Sequence, residues 1–400
     1  MKVLLVNQYF WPDLAATAQL LADLAADLGD HGFAVSALAG RGRYVAAAGA
    51  RPPRRETWRN VEIVRVGATE FGRGRVLGRL ADYGSFFFGA AIRLAFGPKV
   101  DVVVCLSTPP LLALLGYLAR FRGSRFVYKV EDLYPDVAVA LGTLAPRGFV
   151  TRLTGALSRR VLARADLVVA LDGAMAASLR ARGARRVEVI PNWADGEAIR
   201  PAADAGHRLR AEWGINAGEI VVLYSGNLGL AHRFDAVCSA AHRLAGAQVP
   251  VRWVFVGDGP RLAEVKAATA GLPTVSFLPY QARESLGELY AAADLHLVTL
   301  RDEVSGLLVP SKYSAALAAG RPVLLVGGSG TDMHEEITRE RVGWALPHDP
   351  EILTATLARA ATDPADLARG GNAARKLFER QYARSLATSR WAALLTELGR

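Results

Sequence analysis

Residues 309–328, VPSKYSAALAAGRPVLLVGG, place a serine and a lysine where a helix begins. Pro310 before that point, and Gly320 and Pro322 beyond it, predict a short helix running into an apolar strand. The backbone N–H groups at a helix start lack intrahelical acceptors and carry the positive end of the helix dipole. A phosphate beside Lys312 would suit that position. The plain structural alternative is that Ser311 caps the helix and Lys312 is solvated. Two further strand ends offer similar groups. YSGNLGLAHR sets Gly226, Asn227 and Gly229 after a strand, with His232 and Arg233 close behind, and FVGDGPRL sets Gly257, Asp258 and Gly259 after the next. Glycine lets backbone approach a ligand closely, and Arg233 could meet phosphate oxygens, although strand-to-helix turns use glycine for steric reasons alone. Three such strand ends in one half of the chain favour a diphosphate ligand over three coincidental turns.

The other half carries carboxylates at a strand end, in YKVEDLYPDVAVALG. Glu131 and Asp132 there could grip sugar hydroxyls, while Asp136 suits a helix cap. The chain has no GxSxG elbow, no Cys/His set with metal-ligand spacing and no DxD pair, so a metal-independent site is expected. The absence of a GxGxxG fingerprint disfavours an NAD-dependent oxidoreductase, and no Walker GxxxxGK[ST] is present.

These groups need scaffolds, and the apolar pattern supplies two. KVLLVN, AVSALAG, VEIVRVG, VDVVVCLS, RFVYKVED and ADLVVALD read as strands with helices between most of them. Continuous apolar strands alternating with helices predict a parallel sheet covered on both faces. After RVEVIPNWADGEAIRP the pattern restarts with EIVVLYSG, VRWVFVGDG, VSFLPY, LHLVTL and PVLLVGG, and ends in a helical tail. Two consecutive α/β domains are therefore expected, split near residues 195–205, with a ligand in the cleft between them.

With 400 residues, 51% hydrophobic and 22% charged, the chain is expected to be globular. No segment reads as a membrane span or signal peptide, and Cys105 and Cys238 sit in apolar runs as expected of buried thiols in a reducing cytoplasm. The charge is lopsided: residues 1–195 hold 26 Lys/Arg against 16 Asp/Glu, whereas residues 196–400 hold 22 of each. GRGRY, RPPRRETWR and FGRGRVLGRL concentrate the excess, and the aromatic run ADYGSFFFGAAIRLAF follows. A basic rim beside apolar side chains fits an anionic membrane face, and a buried helix with solvated arginine loops fits equally. No aromatic-basic module points to nucleic acid.

Taken in order, NQYFWPD, EDLYPDVAVALG, VIPNWAD, YSGNLG, VFVGDGPRL, LYAAADLHLV and VPSKYSAALAAGRPVL resemble the GT-B glycosyltransferases of family 4, over nearly the whole chain. The likeness is to the bacterial branch that builds O-antigen, capsule and exopolysaccharide. It implies two Rossmann-like domains facing across a cleft: residues 1–198 on the acceptor side, 199–375 for the nucleotide sugar, and a helix at 376–400 returning to the first domain. It also implies a retaining hexosyl or N-acetylhexosaminyl transfer from a UDP-sugar, favoured over a GDP-sugar, with no further cofactor. The implied acceptor is a lipid-pyrophosphate-linked sugar at the inner face of the plasma membrane. By the same resemblance, Gly226, Asn227, Gly229, His232, Arg233, Ser311 and Lys312 would face the diphosphate. Gly257, Asp258 and Gly259 would line the nucleoside, with Leu278, Pro279 and Tyr280 at the base. Glu303, Ser305, Gly306 and Leu307 would lie near the donor sugar, and Ala15, Ala16, Glu131 and Asp132 on the acceptor side. Asp132, Glu303 and Lys312 would carry the chemistry. Two departures stand out. Ala315 occupies the usual place of a second glutamate, and Ala15–Ala16 replace a common Gly-Gly loop. A nucleotide-sugar 2-epimerase and a non-catalytic nucleotide-sugar-binding protein are the rival readings.

Overall fold

The computed structural model describes residues 1–42, 51–67, 69, 71, 76–202 and 206–400, with Val76 and Arg79 described by backbone alone. Parts of the basic clusters GRGRY and FGRGRVLGRL lie outside the described residues. The chain forms two units.

Unit 1 contains an eight-stranded sheet: β1 (Lys2–Val6), β2 (Ala34–Gly40), β3 (Arg55–Trp58), β4 (Val61–Val66), β5 (Val102–Leu106), β6 (Arg125–Lys129), β7 (Leu167–Ala170) and β8 (Val187–Val189). Their order is β3-β4-β2-β1-β5-β6-β7-β8, parallel except where β3 pairs antiparallel with β4. All of VVVCL in β5 is buried, as a strand with helices on both faces requires. The β3–β4 hairpin was not foreseen from the charge-rich RPPRRETWR. It turns through Arg59 and Asn60, both at positive φ, the backbone of a tight two-residue hairpin turn. Arg65 on β4 is not a surface charge. It is buried, 2.5 Å from Glu56, and donates to the Trp11 carbonyl at 2.7 Å and the Pro53 carbonyl at 3.0 Å. A buried guanidinium needs this many acceptors.

Unit 2 holds six parallel strands: β9 (Ile220–Ser225), β10 (Val251–Val256), β11 (Val275–Leu278), β12 (Leu295–Leu300), β13 (Val323–Gly327) and β14 (Gly343–Leu346). The order β11-β10-β9-β12-β13-β14 is the doubly wound 3-2-1-4-5-6 arrangement. Strand order reverses between β9 and β12, and ligands of such sheets bind outside the carboxyl ends at that switch point.

The division differs from the expected 198/199 and 375/376 boundaries. Unit 1 is Met1–Pro191, Gly306–Val309 and Ser385–Arg400, and unit 2 is Asn192–Ser305 and Pro310–Arg384. The tail is not one helix. Helix Pro364–Leu377 runs into a wider turn at Phe378–Tyr382 and breaks at Ala383, which pairs with Ala194. Only then does helix Arg384–Leu398 begin. Glu397 pairs with Arg186 at 2.7 Å and Arg390 with Glu188 at 3.2 Å, while Trp391 and Leu395 are wholly buried. Trp391→Ala is therefore expected to lower unfolding free energy by about 3–5 kcal/mol, read by denaturant titration. A loss within about 0.5 kcal/mol, the range of surface substitutions, would show that the helix does not support the unit.

Candidate active site

In unit 2 the loops after β9, β10 and β11 are joined by backbone hydrogen bonds. Gly226 N–H donates to Val256, Gly257 N–H to Leu278, and Leu228 N–H to Asp258, at 2.8–2.9 Å. Glycine is required at two of these points. Gly226 lies at φ 131°, and Gly257 lies at φ 133°, where a Cβ would come within 2.1 Å of the Gly226 carbonyl oxygen. Tyr280 sits against this floor, its hydroxyl 3.5 Å from the Asp258 carbonyl. Asn227 and Gly259 meet across the same loops, since a Cβ on Gly259 would approach Asn227 Oδ1 to 2.7 Å.

Lys312 reaches this corner from the start of helix Lys312–Ala318. Its Nζ donates to Tyr224 Oη at 3.2 Å and to His232 Nε2 at 3.4 Å, and lies 4.5 Å from the centre of the Tyr224 ring. Its Cε lies 3.5 Å from where a Gly226 Cβ would be. The Thr299 carbonyl, 2.5 Å from His232 Nδ1, can only accept, so Nδ1 carries the proton and Nε2 offers its lone pair to the lysine. Burial, then the Lys312 charge, pushes His232 well below the ordinary histidine range, so the ring stays neutral. Burial likewise brings the Lys312 ammonium down to about 7. No carboxylate pairs with it among the described residues. A cation held this way, with neutral donors and acceptors only, is costly unless an anion completes it.

In unit 1 the carboxyl ends of β1, β5 and β6 meet. Ser107, just after β5, accepts at its Oγ from the N–H groups of Glu131 (3.0 Å) and Asp132 (3.1 Å). Leu133 N–H donates to the Leu307 carbonyl at 2.8 Å, and Asp132 forms a bridge with Leu308. Glu131 is buried in an ion pair with Lys129, which is itself almost fully buried. Burial, reinforced by Glu131, raises Asp132 to about 7. At the end of β1, Asn7 and Gln8 are buried, and their side-chain carbonyl oxygens Oδ1 and Oε1 have no partner among the described residues.

Comparison with known proteins shows the family of the chain. Residues 16–193 match the family described as glycosyl transferase 4-like domain, and residues 219–363 match glycosyl transferases group 1. The chain belongs to family 4 of the GT-B glycosyltransferases. The probable glycosyltransferase WbjE of Pseudomonas aeruginosa is 28% identical over 306 residues, covering 74% of this chain and 75% of WbjE. The putative colanic acid biosynthesis glycosyl transferase WcaI of Escherichia coli K12 is 29% identical over 294 residues, covering 70% and 71%. Among solved structures, Anabaena Alr3699/HepE in complex with UDP-glucose superposes with a TM-score of 0.71 at 19% identity, over 99% of this chain and 100% of that one. At that identity the likeness is one of fold.

The glycosyltransferase brings some of the expected residues together and separates others. Gly226, Asn227, Gly257, Asp258, Gly259, Leu278 and Tyr280 share one corner with His232 and Lys312. Ser311 precedes that helix but makes no side-chain cap. Pro279 lies between Leu278 and Tyr280, its carbonyl accepting from the Gln281 side chain. His232 holds Lys312 from behind instead of pointing outward, because its Nδ1 is committed to Thr299. Arg233 forms a two-pronged pair with Asp235 at 2.7 Å, and Glu303 is a surface carboxylate paired with Arg301 at 3.4 Å. The expected donor-sugar loop is divided. Ser305 stays in unit 2 and donates to the Ser329 carbonyl at 3.1 Å, whereas Gly306 and Leu307 belong to unit 1, where Leu307 packs on the core. Ala15 is buried with Tyr9 and Ala18, so the Ala15 methyl fills core and does not obstruct a loop, and Ala16 opens helix Ala16–Asp30. Tyr224, Asn7, Gln8 and Ser107 were missed. The signal for Tyr224 was a tyrosine next to the end of an otherwise aliphatic strand, and for Asn7 and Gln8 a polar pair directly after one.

Proposed function

We propose that this glycosyltransferase moves a hexosyl or N-acetylhexosaminyl group from a UDP-sugar to a lipid-pyrophosphate-linked or polysaccharide acceptor in cell-surface glycan synthesis, with retention and without a metal ion. The observation that carries the donor half is Lys312: a cation with no carboxylate partner among the described residues, set at the switch point of a doubly wound sheet beside glycine-floored loops. As the sugar–oxygen bond to phosphate breaks, charge grows on the leaving diphosphate, and a preorganised ammonium meets it. Asn227 and the Gly226–Gly229 backbone line the same oxygens, and Tyr280 with the Gly257–Gly259 loop receives the nucleoside. Asp132 orients the acceptor hydroxyl, helped by the unpaired carbonyls of Asn7 and Gln8. The likeness in sequence to WbjE and WcaI supports the surface-glycan assignment, and the UDP-glucose held by the structural neighbour supports the nucleotide.

A thermal-shift panel with UDP, GDP, ADP and dTDP at about 1 mM tests the reading. A ligand at about 100 times its Kd adds roughly 2.7 kcal/mol to native stability, so UDP is expected to raise the midpoint and the others to do so less. No shift with any nucleotide would overturn it. Turnover with little net UDP release would favour an epimerase.

A further inference from the structure

Helices Val76–Phe96, Leu114–Arg120 and Phe149–Arg164 pack side by side on one face of the unit 1 sheet, over a shared core that includes Phe86, Leu115 and Val161. Their outer surface departs from ordinary soluble composition in two respects. It carries large apolar side chains in the open: Leu77 is 81% exposed, Phe88 69% and Phe96 85%, with Leu80 and Ile92 beside them. Phe121, which ends the second helix, is 74% exposed. Scattered apolar residues on a surface are ordinary, but several phenylalanines on one helical layer are not. The layer is also strongly basic. The three helices contain seven arginines and one acid, Asp82; the third alone has Arg152, Arg159, Arg160 and Arg164 and no acid.

The apolar and basic features meet at one edge. Arg122 donates to the carbonyls of Leu94 (2.6 Å) and Gly97 (2.9 Å), tying the end of the first helix to the end of the second, with Phe96 and Phe121 next to the tie. Beside it lies a depression of about 480 Å³ lined by Arg120, Arg164, Arg185 and Asp166. Asp166 also faces Arg125, at 3.7 Å, and already accepts the Phe126 N–H at 2.7 Å. Asp166 pairs with Arg120 at 3.4 Å and with Arg125, and among the described residues no carboxylate pairs with Arg164 or Arg185, so the depression carries more guanidinium than carboxylate. Forked donors of this kind match phosphate oxygens.

We propose that this helical layer docks on an anionic bilayer, with Leu80, Phe88, Ile92, Phe96 and Phe121 entering the interface and the Arg120–Arg164–Arg185 depression receiving a lipid phosphate. Aromatic side chains at headgroup depth combined with arginines reaching phosphates is the chemistry of an interfacial protein. The depression lies at the amino ends of β6, β7 and β8, the opposite end of the sheet from Asp132. The layer would therefore lie along the bilayer and not stand end-on to it. The proposal deepens the lipid-linked acceptor reading, on which it rests for its purpose.

The test is flotation of the full chain with phosphatidylcholine vesicles, alone or mixed with phosphatidylglycerol, at low and high salt. Binding is expected only to the mixed vesicles and to weaken with salt. Phe88→Ser/Ile92→Ser/Phe96→Ser should abolish it. Arg152→Glu/Arg159→Glu/Arg160→Glu should reduce partitioning by at least about fivefold for each arginine lost. The UDP-induced thermal shift of each variant reports folding and donor binding separately. Unaltered shift with lost flotation supports docking; no flotation of the unaltered chain, or flotation indifferent to both variants, overturns it. A solution dimer that the serine variant dissociates would also overturn it, by giving the face to a second copy. Vesicle binding without any UDP shift would leave the docking surface standing and remove the donor reading instead.

Discussion

Lys312→Ala is expected to lower kcat by about 10²–10³, the loss of roughly 2.7–4 kcal/mol seen when one preorganised donor to a developing oxyanion is removed. The same substitution should leave the melting temperature unchanged or raise it. The ammonium is half-buried with no carboxylate partner among the described residues, held by a phenol and a neutral imidazole, so the native state gives up hydration without ionic compensation. A structural lysine would behave in the opposite way, with stability lost and turnover of the folded fraction kept. Measuring kcat and the unfolding midpoint on one preparation separates the two. Normal turnover in the alanine variant would remove Lys312 from the diphosphate site.

The second large effect concerns Asp132, and it appears in the pH profile. Its carboxyl, raised to about 7 by burial and by Glu131, is ionised only above that pH. Lys312, lowered to about 7 by burial, is charged only below it. In the proposed reaction the first must be ionised to accept a hydrogen bond from the acceptor hydroxyl, and the second charged to meet the diphosphate. kcat/KM is therefore expected to follow a narrow bell centred near pH 7. Asp132→Asn should cut kcat by about 10² and flatten the acid limb. Lys312→Arg should carry the alkaline limb upward, since a guanidinium does not deprotonate there. The stability signs are opposite. Asp132 stabilises the fold most below the ordinary aspartate value of 3.8, and that contribution is lost as pH rises through 7. For Lys312 the contribution is complete above 10.5 and lost as pH falls through 7. A flat profile between pH 5 and 9 would separate both groups from the reaction.

The alternation of apolar strands with helices made both sheets legible, because a strand buried on two faces has little choice but Val, Leu, Ile and Ala. LHLVTL and AVSALAG coincide with β12 and β2 to the residue. The hairpin strand β3 was obscured because an edge strand tolerates charge, and its turn uses Arg59–Asn60 in place of a glycine. Within the site, residue types at strand ends pointed to the right loops, but orientation was not legible. The carboxylate that takes Arg233 stands only two positions on, at Asp235, but nothing local says that His232 Nδ1 will be taken by Thr299, 67 positions away. Nor does a local pattern reveal that Gly306–Val309 leaves one unit to complete the other, since its decisive partner is the backbone of Leu133.

Unit 1 is thus drawn from three separate stretches of chain, the last being Ser385–Arg400. On the ribosome this carries a consequence in time. Strands β1 to β8 emerge early, but the segment that pairs with Asp132 and Leu133 comes more than a hundred residues later, and Trp391 follows only after two hundred. At 5–20 residues per second, the interval between Pro191 and Trp391 is roughly 10–40 s. For that interval the nascent first unit must persist with an apolar recess unfilled, a natural client for a chaperone. The same threading governs recombination: a crossover near residue 192 between two relatives would pair one parent's strands with the other parent's closing helix, so functional chimeras should require the three stretches to be exchanged together.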